Sequence, residues 1–145
     1  MLILALRSNP KLFCTVRGAV ERLAETLGFP APQCRSITRA VDEALTNIVR
    51  HSYKNRLDQP VIAYFRCTER EDHGQAQLGL EILICDRGPA VDPSKLRGRS
   101  LEEIKPGGLG LHFIRESMDT VEFFRKGRTN RMRLIKYLAK TNHTP

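Results

Sequence analysis

The chain has 145 residues, of which 41% are apolar, and a formal net charge of +8 at pH 7. This length suits one hydrophobic core but not two independently stable units, so we expect a single domain over residues 1–145. The basic charge fits three kinds of partner: nucleic acid, an acidic protein or a polyanionic ligand. The chain has no tryptophan and only 6% aromatic residues, which disfavours a base-stacking surface for single-stranded nucleic acid.

The first residues carry no targeting signal. The run from Met1 to Leu6 is apolar but ends at Arg7, with no basic lead and no small-residue cleavage site, so it predicts a strand. No other stretch approaches the roughly 20 apolar residues that span a bilayer. We therefore expect a cytoplasmic protein that does not cross a membrane. The four cysteines are isolated from one another and lack metal-site spacing, and we expect buried thiols.

The predicted elements follow the order β-α-α-β-β-α-β-β. Helices are indicated by apolar residues that recur every three or four positions, and strands by alternation. Ser8 or Asn9 can cap the first helix with Pro10 in its first turn, and Pro30 and Pro32 separate it from the second. The elements are a strand over 1–6, helices over 10–28 and 32–53, strands over 61–68 and 77–85, a helix over 108–117, and strands over 121–124 and 132–138.

This order, with adjacent strands joined as hairpins, indicates an α+β fold. We expect a two-layer sandwich in which a mostly antiparallel mixed sheet carries the helices on one face. The run from Arg87 to Gly107 has no sustained period, and a loop of that length in a small domain is usually functional. We interpret it as a lid with a short helical turn over Ser100 to Ile104.

The second predicted helix carries a polar stripe at the edge of its apolar face. Glu43, Asn47 and His51 recur every four residues and lie about 90° around the helix from the apolar stripe. An acid, an amide and an imidazole at that boundary can face a pocket, where a base and a metal ligand would stand. A solvated helix face explains the same three residues.

A second motif, Asp86-Arg87-Gly88, follows the central predicted strand. A carboxylate there can accept a hydrogen bond from an exocyclic amine, and a glycine lets a planar ring approach the backbone. The pair suits adenine and rejects guanine, whose carbonyl oxygen would face the carboxylate. Taken alone, the same residues are also a turn signal.

A third motif, Gly107-Gly108-Leu109-Gly110-Leu111, runs from the predicted lid into a helix. Free backbone N–H groups and the positive end of the dipole at a helix start bind phosphate oxygens, and glycine permits close approach. A glycine-rich hinge without a ligand is the alternative. The spacing excludes a P-loop and a dinucleotide-binding strand-turn-helix unit.

In this order along the chain, the three motifs resemble the ATP-binding motifs of the GHKL superfamily, which includes gyrase, histidine kinases and MutL and shares the Bergerat fold. The segment Asp-Glu-Ala-Leu-Thr-Asn-Ile-Val-Arg-His-Ser-Tyr at 42–53 looks like the bacterial anti-sigma factor switch kinases of the RsbW and SpoIIAB type. The segment Gly-Arg-Thr-Asn-Arg-Met-Arg-Leu-Ile-Lys at 127–136 is similar to the last strand of that family. The resemblance covers nearly the whole chain.

The resemblance implies ATP and Mg²⁺ as cofactors and gives roles to the helix residues. Glu43 would be the general base that takes the proton from an attacking serine or threonine hydroxyl. Asn47 would offer its amide oxygen to Mg²⁺ on the nucleotide phosphates. His51 matches a family position, but a structural role remains open for it.

The resemblance likewise implies the nucleotide contacts. Asp86 would bind adenine with Gly88 beneath the ring, and Thr129 would place a hydroxyl near Asp86. For Lys105, a phosphate contact and a solvated lid charge both remain open. The lid and helix start would contribute Gly108, Leu109, Gly110 and Leu111 to the phosphate site.

The sequence departs from the family pattern in the lid. Ala90, preceded by Pro89, stands where the second glycine of Asp-x-Gly-x-Gly is expected, so the first hinge is stiffer. Lys105-Pro106 stands where an arginine or another polar residue is expected. The closed geometry of the lid is therefore in question.

The resemblance predicts an anti-sigma factor that is also an ATP-dependent protein serine/threonine kinase. Its partners would be a sigma factor and a STAS-type antagonist that it phosphorylates, and it would form a homodimer with no direct contact to nucleic acid or membrane. The first alternative is a nucleotide-binding sequestering module without kinase activity. The second, favoured only by charge, is a basic nucleic-acid-binding domain.

Overall fold

The computed structural model describes residues 1–90 and 108–140, and the predicted order of elements is confirmed. A 3₁₀ turn, Pro10–Leu12, precedes the first α-helix, and a π-helical turn, Ile48–Ser52, continues the second. The helices are α1 Phe13–Leu27, α2 Ala31–Asn47 and α3 Gly108–Ser117. The strands are β1 Leu2–Arg7, β2 Pro60–Asp72, β3 Gln75–Asp86, β4 Thr120–Lys126 and β5 Thr129–Tyr137.

The strands form one sheet in the order β1-β2-β3-β5-β4. Every strand pairing in the described part of the chain is antiparallel. The strand latest in sequence, β5, lies between β3 and β4. The helices pack on one face of this sheet, so the predicted two-layer α+β class is confirmed.

The core lies between the sheet and the helices. Alternate strand residues point to that face, as the period of a strand requires. The apolar stripe predicted on the second helix is buried, with no member more than 6% exposed. The stripe consists of Ile37, Val41, Ala44, Leu45 and Ile48, and it packs in one cluster with Ala63, Phe65, Ile82, Ile84, Ile114 and Leu134.

Local capping explains where the first helical segment begins and ends. The side chain of Asn9 accepts a hydrogen bond from the backbone N–H of Lys11 at 3.1 Å, and Pro10 follows the cap. At the other end Gly28 adopts φ +94°, a left-handed conformation that terminates the helix and favours glycine. Both predicted boundaries are confirmed.

The β2–β3 hairpin is longer than the sequence predicted. Its strands continue to Asp72 and from Gln75, and the residues between them, His73 and Gly74, both have positive φ. The sequence predicted no strand over the charged residues 69–74, whereas the structure continues the strands through most of them. The prediction failed because these side chains are solvated on both faces and therefore show no alternation. Lys140 contacts the outer end of this hairpin, where its ammonium lies 2.9 Å from the Asp72 carboxylate.

Two further expectations concern cysteines and the lid. Cys34 and Cys85 are buried as predicted, but Cys14 and Cys67 are exposed, so the prediction was wrong for these two. They lie on outward positions of α1 and β2. The interpretation of Arg87 to Gly107 as a lid falls for its larger part, residues 91–107, outside the described residues.

No helix within 1–90 and 108–140 has the length and apolar character needed to cross a membrane.

The face of the sheet opposite the helices is organised by a buried acid. The side chain of Glu81 is only 7% exposed and receives hydrogen bonds from Arg66 Nε at 2.7 Å and Arg133 Nη2 at 2.9 Å. Arg133 also reaches the exposed Glu122 at 3.0 Å. Burial alone would raise the pKa of Glu81, but the two arginines outweigh it and hold that pKa below its ordinary value. The ion-pair cluster therefore joins β2, β3, β4 and β5.

We expect Glu81→Gln to lower the free energy of unfolding at pH 7 by about 1.5–3 kcal/mol, because hydrogen bonds to a charged acceptor are lost. The pKa of Glu81 is depressed on folding, so its stabilisation is present above the unfolded-state pKa of about 4.3 and is lost as pH falls through the lower folded value. The gap between wild type and variant in urea denaturation should thus shrink at about pH 3.

Glu122→Gln is the matched control, since Glu122 contacts the same arginine but its side chain is 51% exposed. It should cost no more than about 0.5 kcal/mol. Equal losses from both substitutions would contradict a special role for the buried acid.

Candidate active site

Helix α2 holds Glu43 and Asn47 at the edge of the core. Both side chains are half-buried, between the fully buried stripe and the solvent. The helix is fixed from its other side by an ion pair in which Arg17 Nη1 of α1 lies 2.6 Å from Asp42 Oδ1. The two predicted site residues therefore point from a rigid element into the space beside α3.

The start of α3 lies directly against this pair. A Cβ added to Gly110 would stand 2.6 Å from Glu43 Oε2 and 3.8 Å from Asn47 Nδ2. Helix α3 is held there by Ile114, which is fully buried, and by Phe113, over whose ring the Arg39 guanidinium of α2 lies at 4.1 Å. Gly110 therefore lets the backbone of α3 come into close contact with the Glu43 carboxylate, and a helix start carries free backbone N–H groups.

His51 lies in the π-helical turn that continues α2, beyond the other two residues of the predicted stripe. The backbone N–H of Tyr53 bonds to the carbonyl of Ile48, five residues earlier, at 2.9 Å. His51 is exposed. The structure thus brings Glu43 and Asn47 together beside α3, whereas His51 is exposed in the π turn.

Asp86 ends β3 as a buried carboxylate with one oxygen already bonded. Its Oδ1 accepts from the backbone N–H of Gly88 at 2.8 Å and from Asn130 Nδ2 at 3.0 Å. Among the described residues no hydrogen bond to Oδ2 is present. One oxygen is therefore oriented by the protein.

Tyr53 supports the turn that follows Asp86. Its hydroxyl accepts from the backbone N–H of Arg87 at 2.7 Å and donates to the carbonyl of Pro60. Burial raises the pKa of the Tyr53 phenol, so the hydroxyl stays protonated and keeps both bonds. The end of the π turn is thereby tied to the Asp86 loop.

Gly88 is required by the protein itself. A Cβ at this position would stand 2.7 Å from Ser52 Cβ and 2.9 Å from the Ser52 carbonyl oxygen. From the sequence we assigned this glycine to the approach of a planar ring to the backbone. The structure gives a second reason, because Ser52 of the π turn lies directly against Gly88. Ser52 lies in the π turn that continues α2, so the helix that carries Glu43 and Asn47 is in contact with the Asp86 loop at its end.

Asn130, and not Thr129, is the residue of β5 that contacts Asp86. The two residues are paired in register across β3 and β5, and Asn130 is 7% exposed. Thr129 is adjacent on the strand, so its side chain leaves on the other face. The sequence missed Asn130, although alternation carried back two residues from Met132 would have placed it on the inward face.

The remaining predicted site residues are described only in part. Lys105 lies outside the described residues. Gly108 and Leu109 belong to the first turn of α3, and nothing is described of the Leu109 side chain. Leu111 is half-buried on the same helix.

The donor set fits a magnesium nucleotide. An amide oxygen on Asn47 and the carboxylate of Glu43 are ligand types that suit a hard cation. Gly110, in the first turn of α3, lies in close contact with Glu43, and a helix N-terminus can bind phosphate oxygens. Asp86, buried at the end of β3, is a carboxylate of the kind that accepts from an amine-bearing base. The arrangement can bind a nucleotide along α2 and place a base near its phosphates.

We expect Gly88→Ala to destabilise the protein by about 1–3 kcal/mol, because the new methyl group meets the Ser52 backbone and forces a shift. Thermal denaturation measures this loss. The matched control is Gly18→Ala in α1, where a Cβ meets nothing within 4 Å. That change should raise stability by about 0.5–1 kcal/mol through helix propensity. Equal effects of the two substitutions would contradict the close approach.

Comparison with known proteins agrees with this geometry. Residues 6–136 match the family model of the histidine kinase-like ATPase domain. The chain is 28% identical over 123 residues to the serine-protein kinase RsbW of Oceanobacillus iheyensis, covering 79% of this chain and 73% of that protein. It is 31% identical over 108 residues to the serine/threonine-protein kinase BtrW of Bordetella bronchiseptica, covering 72% of this chain and 70% of that protein.

A solved histidine kinase domain, from the Erythrobacter litoralis EL346 blue-light activated histidine kinase, matches with a TM-score of 0.47 and 14% identity over 88% of this chain and 59% of that chain. That similarity is too low to bear on function. The family match over residues 6–136 confirms the resemblance that the three motifs carry. The chain therefore belongs to the family of histidine kinase-like ATPase domains.

Proposed function

We propose that residues 1–145 form one ATP-binding domain that acts as a protein serine/threonine kinase and an anti-sigma factor. The observation that carries the proposal is the approach of Gly110 to Glu43 and Asn47, because it brings the proposed phosphate site at the start of α3 against the proposed base and metal ligand. The kinase names of RsbW and BtrW support the same activity.

The proposed chemistry uses Glu43 as the general base. A serine or threonine hydroxyl of the substrate protein gives its proton to the Glu43 carboxylate as its oxygen attacks the terminal phosphoryl group of ATP. The bond from that phosphorus to the bridging oxygen breaks, and ADP leaves with the electron pair. Proton transfer of this kind typically contributes about 10²–10⁴ in rate. The position of Glu43 between the core and α3 excludes part of the solvent and keeps the carboxylate near the phosphates.

The proposed nucleotide site runs from Asp86 to the start of α3. Asp86 Oδ2 accepts from the exocyclic amine of adenine, while Asn47 holds Mg²⁺ through its amide oxygen. When bound, Mg²⁺ neutralises charge that develops on the phosphates. Gly108 and Gly110 let the backbone of α3 approach the phosphate oxygens, and Lys105 is a further phosphate contact in this proposal.

The proposed partners are a sigma factor, which the domain sequesters, and a STAS-type antagonist, which it phosphorylates. Phosphorylation of the antagonist returns the kinase to the sigma factor. We also propose a cytoplasmic homodimer. Its support in the structure is the exposed apolar edge at β1, where Leu2 is 37% and Ile3 49% exposed.

A sequestering module without kinase activity is the second candidate. It is favoured by Pro89-Ala90 at the first hinge of the lid, where the carbonyl of Pro89 accepts a 2.8 Å hydrogen bond from Asn130. This contact holds the residue before Ala90, the position at which the family pattern has glycine. Retention of Glu43 and Asn47 speaks for the kinase.

The deciding experiment incubates the protein with labelled MgATP and a candidate STAS-type antagonist. We expect label on a serine or threonine of the antagonist with wild type, and a loss of about 10²–10⁴ in rate with Glu43→Gln, which retains ATP binding. The matched control, Glu21→Gln, changes an exposed glutamate of α1 and should leave the rate unchanged. No phosphorylation by wild type, with sigma binding intact, would leave only the sequestering module.

Nucleotide binding itself is tested by calorimetry with Asp86→Asn. In the variant the single amide oxygen is held by the donors Gly88 N–H and Asn130 Nδ2, so the amide nitrogen faces the adenine amine as a second donor. We expect ATP to bind about 10- to 100-fold more weakly than to wild type. Failure of wild type and variant alike to bind ATP would sink the proposed function.

A further inference from the structure

A side-chain amide and a guanidinium from the β4–β5 hairpin clamp the loop after Asp86. Asn130 Nδ2 lies 3.0 Å from Asp86 Oδ1, 3.3 Å from the Gly88 carbonyl oxygen and 2.8 Å from the Pro89 carbonyl oxygen. Arg125 Nη1 lies 2.6 Å from Asn130 Oδ1 and 3.1 Å from the Gly88 carbonyl oxygen. The two residues are paired in register across β4 and β5.

The chemistry of the neighbours fixes which way the Asn130 amide faces. A guanidinium only donates, so the oxygen of the amide must face Arg125. The Asp86 carboxylate and the backbone carbonyls only accept, so the amide nitrogen must face them. A flipped amide would oppose donor to donor and acceptor to acceptors at a site that is 7% exposed.

We infer that Asn130 and Arg125 are a positioning pair that orients Asp86 for adenine and thereby sets the preference for ATP over GTP. Asn130 holds Oδ1 of the carboxylate, so that Oδ2 is presented to the base at a fixed angle. Arg125 holds the amide of Asn130 in its donating orientation. This inference rests on the proposed function, because it takes Asp86 as the group that binds adenine.

The pair also fixes the backbone where the chain departs from its family. Pro89 and Ala90 stand at the hinge in place of the glycine expected at 90. The carbonyls of Gly88 and Pro89 are both held by the clamp, so the loop keeps one shape next to the base site. Loss of the clamp should therefore affect recognition of the base more than binding of phosphates.

The test compares Asn130→Thr with Asn130→Val. The two side chains have the same shape and differ only in a hydroxyl that can donate to Asp86, so a purely structural role of the position would affect both alike. We expect Asn130→Val to bind ATP about 10- to 100-fold more weakly than wild type and to lose most of its preference for ATP over GTP. Asn130→Thr should retain affinity within about tenfold. Calorimetry with ATP and GTP supplies the values, and thermal denaturation checks folding.

A second test changes Arg125→Met and leaves Asn130 in the chain. Its control is Arg128→Met, at the exposed turn of the same hairpin. Arg125→Met should lower the ratio of ATP to GTP affinity, and Arg128→Met should not change it. The inference alone would be overturned if Asn130→Val and Arg125→Met both kept the ATP affinity and the nucleotide preference of wild type while Asp86→Asn bound ATP more weakly. No ATP binding by wild type would overturn the proposed function and the inference with it.

Discussion

The rotation of α2 on the sheet is the constraint on which the site depends. Burial of each large apolar side chain of its stripe contributes about 1.5–3 kcal/mol, more than any exposed polar contact at the helix edge can oppose. The direction in which the Glu43 and Asn47 side chains point is therefore set by the packing of this stripe. Packing of Ile37, Val41 and Leu45 against the strands presents them to α3. The packing of α2 also places Ser52 against Gly88 in the loop after Asp86. One helix therefore positions both the Glu43–Asn47 pair and the Asp86 loop.

Most of the fold could be predicted because its signals are local. The helical period from Val16 to Ala24 lies within α1, and the strand period that places Ile82 and Ile84 on one face lies within β3. Asn9 and Gly28 act on helix ends through neighbouring residues. The prediction failed where no local period exists. The outer part of the β2–β3 hairpin is solvated on both faces, and the π-helical turn has the composition of an ordinary helix.

The site was predictable only in its motif residues. Glu43, Asn47 and Asp86 stand out because an acid or amide interrupts or ends an apolar pattern. Tyr53 and Asn130 were missed because their roles arise from contacts over distance in sequence. Tyr53 meets Arg87 across 34 residues, and Asn130 meets Asp86 across 44. Such pairs depend on strand order, and the interposition of β5 between β3 and β4 follows from no single segment.

The central place of β5 has a consequence for the order of folding. Strands β1, β2 and β3 pair as consecutive neighbours, so they can associate as soon as they are synthesised. The second edge of β3 stays unpaired until residues up to Tyr137 have left the ribosome, and Asp86 lacks the Asn130 amide until then. The nascent chain thus exposes an unpaired edge of β3 and an Asp86 carboxylate without its Asn130 partner. Insertion of β5 covers that edge, which would otherwise be open to edge-to-edge aggregation, and orients Asp86 in the same step.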